Sequence, residues 1–77
     1  MNIQLNYFGM LTEITGCSSE SLETDTQKIG DLITQLVQKY PGLKEKQFQI
    51  AQNQEIVTGE AQLSGAEVAL LPPFSGG

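Results

Sequence analysis

Ile29, Leu32, Ile33, Leu36, Val37 and Tyr40 recur at i, i+3, i+4, i+7, i+8 and i+11. That spacing lines one side of an α-helix with apolar groups. The helix begins poorly. Lys28 stands where Ser, Thr or Asp would cap the first N–H groups, and Gly30 costs about 1 kcal/mol relative to alanine. Asp31 in the first turn suits the positive end of the helix dipole, and Pro41-Gly42 stops the helix. A helix so weakly started must hold by burying its stripe against a partner surface. The chain has 77 residues, room for one domain, so that surface must come from the short segments on either side.

Those segments read as strands. Ile3, Leu5 and Tyr7 alternate with Gln4 and Asn6, which buries one face of a strand. Met10, Leu11 and Ile14 fit a short helix closed by Gly16. Glu20 to Thr24 reads as a second, weaker strand with Leu22 inward. Phe48 to Gln52, a tight Asn53-Gln54 turn and Glu55 to Val57 read as a hairpin. Val68-Ala69-Leu70-Leu71 is a continuous apolar run, expected of a central strand covered on both faces or nearly so, and Pro72-Pro73 ends it. A first and last strand lying parallel need a crossover between them, which the long helix supplies. The expected fold is α+β: a ubiquitin-like β-grasp, a mixed sheet with one long helix packed across one face. Residues 1–71 form the domain and 72–77 a C-terminal Gly-Gly tail.

Composition narrows the function. Nine acidic and four basic residues give a formal charge of −5, which repels phosphate backbones and attracts basic protein surfaces. The single cysteine, Cys17, excludes a disulfide framework, and with no histidine or Cys/His cluster no zinc site is expected. Cys17 lacks a neighbouring base or cation that would activate it, so no sulfur chemistry is assigned to it. No basic region leads into an apolar stretch at the start, and no run is long enough to span a bilayer. The expectation is a cytoplasmic protein with no nucleic-acid, metal or membrane site.

The tail Pro72-Pro73-Phe74-Ser75-Gly76-Gly77 carries the chemistry. Paired prolines favour an extended chain, and six extended residues reach roughly 20 Å. Two glycines add nothing to a fold, since glycine loses the most conformational freedom on ordering. They do let a terminal carboxylate pass down a channel too narrow for a Cβ. A carboxylate is a poor electrophile. Adenylation would turn it into a mixed anhydride that a sulfur nucleophile can attack. Gly77 is therefore the candidate reactive terminus and Gly76 its slender approach. Phe74, flanked by Pro73 and Ser75, joins Leu71, Phe8 and Ile56 as a candidate partner-binding patch at the tail root. Glu67 reads as a solvated face, with contact to a basic patch on the adenylating enzyme as the alternative.

The chain resembles the MoaD/ThiS sulfur-carrier family, in its molybdopterin-synthase branch, over essentially its whole length. The resemblance rests on Asn6-Tyr7-Phe8-Gly9, Ile29-Gly30-Asp31-Leu32, Tyr40-Pro41, the hairpin from Ala51 to Val57, and above all Leu63 through Gly77. Family members often carry acidic residues on both sides of the glycine matching Gly65, where this chain has Ser64 and Ala66. The resemblance implies that an E1-like adenylating and sulfurylating enzyme activates Gly77 with ATP. Sulfur from a persulfide then makes a thiocarboxylate. The carrier docks on the large subunit of the synthase, a heterotetramer, and passes sulfur to cyclic pyranopterin monophosphate, twice per product. No cofactor is bound permanently, and catalytic groups come from the partners. A carrier for thiamine biosynthesis, a ubiquitin-like modifier joined to lysines through Gly77, and a binding module with an inert tail are the alternatives.

Overall fold

The structure, a computed structural model, describes residues 2–64 and 67–72. The elements in chain order are β1 (Asn2–Tyr7), α1 (Leu11–Thr15), β2 (Ser19–Glu23), α2 (Ile29–Lys39), a 3₁₀ turn (Pro41–Glu45), β3 (Gln49–Gln52), β4 (Glu55–Val57) and β5 (Glu67–Leu71). The strands form one sheet in the order β2-β1-β5-β3-β4. β1 and β5 are parallel at its centre, and the other neighbours are antiparallel. This is the mixed sheet and single long helix of a β-grasp.

Alternation along the strands sorts the two faces. Leu5 pairs with Val68 and Tyr7 with Leu70, so the inward residues of β1 and β5 meet on one face. Ile29, Leu32 and Leu36 of α2 close over that face and are fully buried with Ile3, Leu5, Val68 and Leu70. Each such side chain contributes roughly 1.5–3 kcal/mol when removed from water, which offsets the weak start of α2. Leu43, from the 3₁₀ turn that follows Tyr40, is also fully buried and closes one end of the core. Nothing in the sequence pattern marked this turn, because a single leucine in five residues has no period.

The start of α2 explains its residues. Lys28 makes no side-chain cap. Instead the first N–H groups donate to backbone carbonyls of a distant loop: Ile29 N–H to Ala61 O at 2.9 Å and Gly30 N–H to Gly59 O at 2.8 Å. The helix end is capped by tertiary structure, so Lys28 need not do it. The same approach requires a glycine, since a Cβ on residue 30 would stand 3.0 Å from Gly59 O.

β5 is nearly covered on both faces. Val68 and Leu70 are buried, and Ala69 and Leu71 are half-buried on the face away from α2. The apolar run continues because the second face of the sheet is itself apolar around Ala69 and Leu71.

Candidate functional site

The tail leaves the domain at Pro72, one residue past the central strand. Two contacts set that exit. Phe8 N–H donates to Leu70 O at 3.1 Å, which extends the β1–β5 ladder beyond Tyr7. The chain then turns at Gly9, whose φ of +60° is left-handed. A Cβ there would lie 2.9 Å from Pro72 Cγ, so Gly9 serves both the turn and the packing of the tail root. Gly9 O accepts from Thr12 N–H at 3.2 Å and Thr12 Oγ1 at 2.9 Å, which starts α1 directly behind the turn.

The open face of the sheet forms a groove of about 390 Å³ beside this exit. Its floor is made by small residues. Ala69 pairs with Ala51 on one side and with Asn6 on the other. Ile56, opposite Ala51 in the hairpin, stands at one rim with 55% of its surface exposed, and Phe8 stands at another with 47% exposed. Leu71, half-buried, lines the groove one residue before Pro72. Alanines in the centre and larger apolar groups at the edge produce a concave apolar surface. The three residues singled out from sequence, Phe8, Ile56 and Leu71, are thus brought together. Pro73, Phe74, Ser75, Gly76 and Gly77 lie outside the described residues.

The structure adds residues that sequence reasoning missed. Ala51, Ala69 and Asn6 shape the floor. Asn6 Nδ2 donates to Glu67 Oε2 at 3.0 Å across the β1–β5 pair. The outward half of the period-2 alternation in β1 and β5 was the available signal. Met10, 64% exposed, lies on the other side of Pro72, at a second apolar hollow that reaches Glu45–Gln47.

A polar cluster sits on the opposite, helix-bearing face. Tyr7 and Tyr40 both donate to Glu20 Oε2, at 2.6 and 2.7 Å, and Lys39 Nζ donates to Oε1 at 2.9 Å. Burial alone would raise the Glu20 carboxyl, but the three donors together outweigh it and hold the group below its ordinary value. Burial and the bond to Glu20 push both tyrosines up, Tyr7 far beyond the ordinary range. The Glu20 bond likewise raises Lys39. These groups tie β1, β2 and the end of α2 together. Cys17 is a free, half-buried thiol that lines neither hollow.

Among the described residues, no group of three or more His, Cys, Asp or Glu side chains could hold a metal ion, and no helix is long and apolar enough to cross a membrane. The geometry presents Pro72, the last described residue, close to an apolar groove.

Comparison with known proteins points the same way. The chain is 36% identical to the molybdopterin synthase sulfur carrier subunit of Chlamydomonas reinhardtii, over the full length of both. It is 35% identical to the human protein of that name, covering 97% of this chain and 93% of the relative. In structure it is similar to subunit 1 of a molybdopterin converting factor from Pyrococcus furiosus, with a TM-score of 0.86, 22% identity and coverage of 96% and 99%. It is also similar to small archaeal modifier protein 1 of Haloferax volcanii, with a TM-score of 0.76, 26% identity and coverage of 95% and 98%. A third similar structure comes from the complex of subunits 1 and 2 of the Helicobacter pylori molybdopterin-converting factor, with a TM-score of 0.69, 26% identity and full coverage of both chains. The family model described as ThiS matches residues 5–77, nearly the whole chain and through the final Gly-Gly, and the chain therefore belongs to the ThiS family, of ubiquitin-like β-grasp fold.

Proposed function

We propose that this chain is a sulfur carrier of molybdenum cofactor synthesis, acting through the carboxylate of Gly77. The observation that carries the reading is the tail root. Pro72 emerges from the central strand, is seated on Gly9, and lies beside an apolar groove walled by Phe8, Leu71 and Ile56. Two sulfur carrier subunits at 35% and 36% identity over nearly all of this chain support the pathway.

In this reading an E1-like enzyme grips the domain and directs the tail into its ATP site. The Gly77 carboxylate attacks the α-phosphorus, pyrophosphate leaves, and an acyl adenylate forms. The outer sulfur of a persulfide donor then attacks the acyl carbon, AMP leaves and an acyl disulfide forms. A partner thiolate cleaves that S–S bond, which releases the thiocarboxylate and leaves a disulfide on the donor. Splitting the transfer this way replaces one difficult displacement by easier ones. The domain next docks on the large synthase subunit, and the tail delivers sulfur to cyclic pyranopterin monophosphate. The structural neighbour from H. pylori, which is in complex with its subunit 2, supports a large-subunit partner. The chain's own residues bind and orient, while acids and bases come from the partners.

Intact mass spectrometry after co-expression with the activating enzyme tests this. The expected product has one oxygen replaced by sulfur at Gly77, and an added residue after Gly77 abolishes it without unfolding the domain. An unmodified terminus under those conditions overturns the proposal. The likeness to small archaeal modifier protein 1 favours a second reading, conjugation to lysines. That reading requires isopeptide-linked ladders on target proteins in place of the sulfur-bearing terminus.

A further inference from the structure

The groove is polarised along β5. Glu67, Ala69 and Leu71 follow one another at two-residue steps on its open face, each step about 7 Å. The tail departs from the Leu71 end. Glu67 stands at the other end and, among the described residues, is the only ionisable side chain lining the groove. Its carboxylate is held at one oxygen by Asn6 Nδ2 at 3.0 Å, which leaves Oε1 without a hydrogen-bond partner among the described residues. An apolar element settling on Ala51 and Ala69 would strip water from this carboxylate. A desolvated, unpaired charge is costly, so a partner that fits the apolar floor must also bring a cation. The net charge of −5 draws such a partner in.

We infer that the groove receives an element of the large synthase subunit that places an apolar side chain on the Ala51–Ala69 floor and an arginine or lysine about 7 Å away on Glu67. Asn6 is a positioning residue that aims the carboxylate. The inference rests on the sulfur-carrier reading and adds to it a definite recognition chemistry. The apolar end sets the tail exit, and the charged end sets which way the partner lies along β5.

The test measures binding of the chain to the large synthase subunit from the same source, at low and high salt. The activating enzyme runs in parallel, and melting curves confirm that each variant folds. Glu67→Gln is expected to weaken large-subunit binding about tenfold at low salt and to flatten its salt dependence. Asn6→Ala keeps the charge, so it should weaken binding less and retain the salt slope. Ala69→Phe fills the floor and should remove binding. Wild-type binding that Glu67→Gln leaves unchanged in strength and salt slope overturns this inference alone. So does a Glu67→Gln effect confined to the activating enzyme. A wild-type chain that binds no large subunit overturns the sulfur-carrier reading together with it.

Discussion

Glu20→Ala should remove a large part of the stability of this domain. Glu20 accepts three hydrogen bonds, and its side chain is 17% exposed. The donors do not suffer equally when it goes. Tyr7 is 2% exposed, so its hydroxyl would be orphaned in the interior, at about 1–3 kcal/mol. Tyr40 is half-buried and can turn towards water. Lys39 has a side chain 46% exposed, and its ion pair is worth only about 0–1 kcal/mol. The expected loss is about 2–4 kcal/mol, against about 4–12 kcal/mol for a whole domain of this length. Urea unfolding followed by circular dichroism measures it. The decisive variant is Tyr7→Phe combined with Glu20→Ala. Without the Tyr7 hydroxyl there is no orphan, so the double variant should be more stable than Glu20→Ala alone by about 1 kcal/mol or more. Equal or lower stability of the double variant refutes the reasoning, as does a Glu20→Ala loss below about 0.5 kcal/mol. The pH dependence follows in sign. The folded Glu20 titrates below its ordinary 4.5, so its contribution is present above that pH and is lost as pH falls through the folded value. The stability gap between wild type and Glu20→Gln should therefore narrow below pH 4.5. At the alkaline end Tyr7 and Tyr40 titrate above 10.0 when folded. Stability from their neutral forms is present below that pH and declines as pH rises past it.

Two glycine substitutions test the backbone contacts. Gly30→Ala should gain about 1 kcal/mol from helix propensity alone, but the crowded Gly59 carbonyl should reverse the sign, to a net loss of about 1 kcal/mol in chemical denaturation. Gly9→Ala should cost about 2 kcal/mol from the left-handed turn, and its push on Pro72 should weaken large-subunit binding beyond what the stability loss explains.

The local pattern of the sequence determined the elements. The stripe from Ile29 to Tyr40 is α2, the alternation of Ile3, Leu5 and Tyr7 is β1, and Asn53-Gln54 is the hairpin turn, with φ of 54° and 69°. Such signals are legible because helix and strand periods are set by neighbours along the chain. The apolar character of Phe8, Ile56 and Leu71 was equally legible. What the tertiary structure alone decided are pairings between distant positions: Glu20 with Tyr7 and Tyr40, Gly30 against Gly59, Gly9 under Pro72, and Ala51 beside Ala69. None of these has a period. Glu20 read as an unremarkable strand residue and Gly30 as a helix defect, because the partner that explains each is reached only when the sheet closes. The floor of the groove was hidden for the same reason. An alanine carries no signal of its own, and its smallness matters only once register sets it opposite another alanine at the centre of a sheet.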